Sequence, residues 1–149
     1  MIKLSQMDVR WASAKLGKSQ LTVGRWGCTT TAISMLSDYF KCYASPLEMA
    51  GNNKNYTSDG LVNWRALSFK KMKWVWRQYG RDDKKIMESL KDPNKACILQ
   101  VNNGQHWVVP TGKVPFFNDY WCVDPIDGKS RRVLSRYANI TGSSHFERK

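Results

Sequence analysis

The chain has 149 residues, enough for one domain and too few for two of ordinary size. Seven Trp, six Tyr and five Phe in a 42% hydrophobic composition can fill a core, which excludes disorder of the whole chain. Twenty-four Lys and Arg against twelve Asp and Glu give a net charge of +12, a field that attracts nucleic acid, anionic lipid or the acidic polymers of a bacterial wall.

The first residues, Met1-Ile2-Lys3-Leu4-Ser5-Gln6, lack the apolar stretch of a signal peptide, and no run in the chain reaches the roughly 18 apolar residues of a bilayer span. The expectation is a chain without a transmembrane segment, cytoplasmic at synthesis, then retained, released by another route or carried in a virion. Residues 1–26 read as irregular, with turn signals at Leu16-Gly17 and Val23-Gly24. A helix is expected from Cys28 to about Lys41, with Ala32, Met35 or Leu36, and Tyr39 on one face. Ser45-Pro46-Leu47-Glu48 is a helix start, with a capping Ser, Pro in the first turn and Glu three residues on. The spacing of Leu61, Trp64 and Leu67 predicts a third helix over 60–69. Met72, Trp74 and Trp76 alternate with polar or smaller neighbours and predict a strand with one aromatic face. Asp82 or Asp83 caps a helix through about Leu90, ended by Asp92-Pro93.

The second half reads as sheet. Ala96–Val101 and His106–Val109 flank Asn102-Asn103-Gly104-Gln105, whose residues tolerate positive φ, so the pair is a hairpin. Asp119–Asp124 is a third strand, closed by Pro125 and the Asp127-Gly128 turn, and Arg131–Leu134 a fourth. The order, helices before an antiparallel sheet, predicts one α+β domain over residues 1–149.

Chemistry is sought among scarce residues. Of two histidines, His145 lies in the polar run Ser143-Ser144-His145-Phe146-Glu147 and is expected in solvent. His106 opens a strand after a glycine turn, held by the sheet yet open to a cleft. The four cysteines, Cys28, Cys42, Cys97 and Cys122, form no Cys-x-x-Cys pair, so neither a metal ion nor a cofactor is expected. Cys42, Cys97 and Cys122 have apolar neighbours and are expected to be small core residues. Cys28 instead opens an apolar helix after Gly27, where unpaired N–H groups and the helix dipole favour a thiolate, and the glycine is expected to let a substrate backbone approach closely. Asp124 at a strand end supplies the third partner. A thiol, an imidazole and a carboxylate in that order suit nucleophile, base and the group that orients the base.

The blocks Gln6-Met7-Asp8-Val9-Arg10-Trp11, Gly27-Cys28-Thr29-Thr30, His106-Trp107-Val108-Val109 and Val123-Asp124-Pro125 resemble peptidase domains related to the bacteriocin-processing (double-glycine leader) cysteine peptidases of the papain superfamily. The resemblance implies a papain-like fold with the nucleophile at the start of an N-terminal helix packed on a C-terminal antiparallel sheet. It makes Cys28 the nucleophile, His106 the base, Asp124 its orienting partner and Gln6 the oxyanion glutamine. Gln20, nearer to Cys28, is the rival for that last role. The implied function is a thiol peptidase or amidase. Charge and size favour a bacterial wall peptide as substrate, as for a phage lytic enzyme, and a protein or leader peptide is the other choice. Acyl transfer would use the same residues. The non-enzymatic alternative is a silent basic domain that binds a polyanion or a partner protein.

Overall fold

The structure, a computed structural model, describes all residues from 1 to 149. Five α-helices and six strands form an α+β fold. Helix α1 (Val23–Trp26) is a single turn leading into α2 (Cys28–Tyr39). Helix α2 is buried on most sides: Ala32, Ile33, Met35 and Leu36 are in the core, and so are Thr30, Ser34 and Ser37. Thr30 and Ser37 tolerate this because they are bonded, Thr30 with the Tyr56 hydroxyl at 2.9 Å and Ser37 to the Ser34 carbonyl at 2.7 Å, whereas the buried Thr31 hydroxyl has no partner. Helix α3 (Pro46–Gly51) starts on the full capping box read from Ser45 and Glu48.

The helix expected over 60–69 does not form. Its place is taken by a loop with one 3-10 turn, Trp64–Ala66, tied by the Tyr56–Val62 bridge and by Asn63 N–H donating to the Asn55 carbonyl at 2.8 Å. Trp64 then reaches the aromatic cluster, 6.5 Å from Trp74 and 5.5 Å from Trp107 between ring centroids, while Leu61 is left exposed. Aromatic packing outweighs the helical spacing here.

Strands β1 (Met72–Tyr79), β2 (Lys95–Val101), β3 (His106–Lys113), β4 (Tyr120–Asp124), β5 (Lys129–Arg132) and β6 (Ile140–Arg148) form one antiparallel sheet in the order β1-β6-β2-β3-β4-β5. In β2 the side chains alternate between two apolar layers, a period of two that requires cover on both faces. Ile98 joins the layer under α2, with Ile33, Val109, Val123 and Phe146. Cys97, Leu99 and Val101 join the layer under α4 (Asp83–Lys91), with Ile86, Val108 and Tyr120. The strand expected over Arg131–Leu134 runs instead over Lys129–Arg132: it starts where Lys129 pairs with Asp124 and ends where the chain turns into the short α5 (Val133–Arg136).

Two expectations about the sheet are corrected. The even aromatic face of β1 is broken by an irregularity between Trp74 and Trp76. Trp74 packs on the core and donates its indole N–H to Ser144 Oγ at 2.9 Å, whereas Val75 and Trp76 are both exposed. The tail carrying His145 is not solvated either: it is β6, inserted between β1 and β2. His145 is buried, with Nδ1 3.0 Å from Ser89 Oγ and Nε2 2.7 Å from Ser143 Oγ.

Burial, with the nearby Lys85 and Lys95 charges and against the weaker pull of Asp82 and Glu88, lowers the His145 pKa from 6.5 to about 4. The folded state therefore holds this imidazole neutral while the unfolded chain protonates it. Stability is complete above about pH 6.5 and falls by about 3 kcal/mol as pH drops toward 4, at 1.36 kcal/mol per pKa unit. Urea unfolding from pH 7 to 4 should show this slope, and His145→Gln, weaker at neutral pH, should show less of it.

All four cysteines are free. Cys97 and Cys122 are in the core, where burial pushes both thiols up to about 12, and Cys42 packs against it half-buried. No helix is long and apolar enough to cross a membrane.

Candidate active site

Cys28 is the first residue of α2, and Gly27 is the residue that joins α1 to it. No side chain caps the α2 N-terminus, so the free N–H groups and the positive end of the helix dipole lie beside the thiol. Gly27 is also required by the packing of this junction. Its N–H donates to the Val23 carbonyl at 2.8 Å, and an added Cβ would sit 2.4 Å from that carbonyl oxygen and 2.7 Å from Val23 Cα. The glycine thus permits one helical turn to pack tightly against the start of the next. Gly27→Ala should shift this junction, lower stability by about 1–3 kcal/mol in denaturant unfolding, and slow Cys28 alkylation.

His106 is placed by the β2–β3 hairpin. Asn102 (φ 54°), Asn103 (φ 55°) and Gly104 (φ 86°) all take left-handed backbone, the conformation their residue types tolerate. Asp124 ends β4 and is fully buried. Its Oδ1 lies 2.7 Å from His106 Nε2 and accepts the Ile126 N–H at 3.0 Å. Its Oδ2 accepts Arg131 Nη1 at 2.7 Å and the Tyr137 hydroxyl. Burial alone would raise this carboxyl, but the bonds from His106, Tyr137 and Ile126 outweigh burial and hold it well below the usual carboxylate range.

The same pairing acts on the imidazole. Burial disfavours its charged form, yet the Asp124 bond and the Cys28 thiolate raise the His106 pKa from 6.5 to about 9. With Nε2 engaged by Asp124, Nδ1 is the nitrogen left for the sulfur. Burial pushes the Cys28 thiol up; His106, through contact and charge, then Trp107 and Thr29, bring it below the ordinary 9.0. The sulfur has one hydrogen bond of ordinary sulfur geometry, with Thr29 Oγ1 at 3.9 Å.

The two glutamines are separated by their surroundings. Gln20 is on the surface, with its side-chain oxygen on Lys15 Nζ at 3.0 Å. Gln6 is buried and ties two segments of the site together. Its N–H donates to the Pro125 carbonyl at 2.7 Å, and its Nε2 donates to the Gly24 carbonyl at 3.0 Å. The residue after Asp124 and the residue four before Cys28 are therefore held by one side chain and its backbone. Gln6 Oε1 is buried without a partner.

Sequence reading missed Arg131 and Tyr137. Arg131 bridges Asp124 and Asp127, with Nη2 at 2.5 Å from Asp127 Oδ2. The Asp127-Gly128 turn could have found it: once Asp124 pairs with Lys129, Arg131 opposite Cys122 is the diagonal neighbour of Asp124. Tyr137 follows α5 and lays its ring 5.1 Å from the His106 ring. No local pattern marks it.

No group of three or more His, Cys, Asp or Glu side chains could hold a metal ion. No family model, curated protein or solved structure matches the chain.

Proposed function

We propose that the chain is a papain-like cysteine peptidase or amidase. The observation that carries this reading is the bond of His106 Nε2 to the buried, ionised Asp124 at 2.7 Å, with Cys28 at a helix start and its thiol lowered by His106. That is the polarity a thiolate–imidazolium pair requires.

The Cys28 thiolate attacks the carbonyl carbon of a peptide bond, and the carbonyl electron pair moves to oxygen. The Cys28 backbone N–H and the second amide hydrogen of Gln6 are the proposed donors to that oxyanion, each worth roughly 3 kcal/mol in comparable sites. His106 gives its Nδ1 proton to the departing amine as the C–N bond breaks. It then takes a proton from water, whose oxygen attacks the thioester; the C–S bond breaks, releasing the acid and restoring the thiolate–imidazolium pair. Asp124 keeps Nε2 protonated, so the proton that moves is the one on Nδ1.

The charge of +12 favours an anionic substrate, and we infer a bacterial wall peptide ahead of a protein or leader peptide. The test is clearing of purified walls in parallel with cleavage of a polypeptide, with the Cys28→Ala protein as control. Clearing by the native protein alone supports the first choice, and polypeptide cleavage without clearing the second. Steeply salt-dependent binding by a protein whose Cys28 is inert would identify the silent basic module instead.

A further inference from the structure

An open groove of about 610 Å³ adjoins the segments that carry Cys28 and Asp124, although none of the three site residues lines it. One wall is Thr22, Gly24 and Arg25, just before Cys28. Ile126, which donates its N–H to Asp124, contributes to another, and Met7, Ala12 and Ser13 complete it. Gln6 spans the first two walls through the Gly24 and Pro125 carbonyls, so the groove is built on the same framework as the candidate site. Its lining is neutral except for Arg25.

Arg25 is exposed, forms no salt bridge, as is also true of Arg65, Arg77 and Arg148, and is the one charged side chain of the groove. Its guanidinium lies 5.5 Å from the ring of Trp26, itself half exposed and two residues before Cys28. Stacking on an indole orients a guanidinium while leaving its N–H fork free, an arrangement suited to a carboxylate. No acidic residue lines the groove to compete for it.

We propose that this groove binds a peptide segment carrying a carboxylate side chain, and that Arg25 selects for it. The inference rests on the peptidase reading and narrows its substrate to acidic peptides. The probes are acetyl-Glu-Ala-Glu-amide and acetyl-Gln-Ala-Gln-amide, which differ in charge alone. Each is titrated for protection of Cys28 against iodoacetamide at low ionic strength, with labelling read per cysteine by mass spectrometry.

The acidic peptide should protect the native protein at a concentration about threefold to tenfold lower than the neutral one, the ratio expected of one exposed charge-assisted contact. In Arg25→Gln the two should protect alike, while Cys28 in the absence of peptide should react as before. Equal protection by the two peptides in the native protein, or a preference that survives Arg25→Gln, overturns the proposal. A Cys28 that labels no faster than Cys42 overturns the peptidase reading beneath it, a result visible before any peptide is added.

Discussion

Cys28→Ala should abolish hydrolysis while leaving the fold in place. The thiol forms the covalent intermediate, and no other cysteine can replace it: Cys97 and Cys122 are buried with thiols raised to about 12, and Cys42 lies past the opposite end of α2. Loss of a nucleophile that acts as a unit with its base costs on the order of 10⁴-fold or more in kcat. The structural cost is small, because Cys28 is only partly buried at the edge of its cluster and loses one sulfur atom. The unfolding free energy should change by about 1 kcal/mol or less. Activity is read on whichever of walls or polypeptide the native protein cleaves. Retained turnover would remove Cys28 from the mechanism.

Asp124→Ala should cost both activity and stability. The carboxylate is fully buried and accepts from four donors: His106, Ile126, Arg131 and Tyr137. Removing it leaves Arg131 with Asp127 alone and strands a buried imidazole and a phenol. Breaking one side of such a buried ion pair costs about 3–5 kcal/mol, which denaturant unfolding would register directly. His106 would lose its largest upward influence, so its pKa should fall from about 9 toward or below 6.5. The thiolate–imidazolium pair would then lose its proton at lower pH, and activity should drop by on the order of 10⁴-fold. Asp124→Asn separates the two effects. It keeps the shape and most of the packing but removes the charge, so it should recover stability in part and activity little.

The three central residues were legible because each carries a local signature. A glycine before an apolar helix marked Cys28, the Asn-Asn-Gly turn placed His106 at a strand start, and Asp124-Pro125 marked a strand end. The meaning of Gly27 was not legible: its requirement is the Val23 carbonyl, seen only once α1 and α2 are folded together. Strand β6 was hidden for a related reason. Its Ser143, Ser144 and His145 look solvated in sequence, and they are tolerated in the interior because Ser89, Trp74 and each other satisfy their polar atoms. Tyr137 was hidden because its partner Asp124 lies on another element and no spacing rule joins a loop residue to a strand end. The choice between Gln6 and Gln20 could not be made from distance along the chain. The residue farther in sequence is the buried one, since the intervening residues 7–22 form a loop, pinned by the Lys15–Thr22 bridge, that returns the chain to Gly24 beside Gln6.

The most direct measurement is the pH dependence of iodoacetamide labelling at each cysteine of the native protein, read by mass spectrometry. Labelling of Cys28 should outpace Cys42, Cys97 and Cys122, and should persist well below pH 9.0, where an ordinary thiol is largely protonated. His106→Ala should abolish that advantage. A Cys28 that labels with the pH dependence of an ordinary thiol, and is unmoved by loss of His106, would contradict the paired sulfur and imidazole on which the mechanism stands.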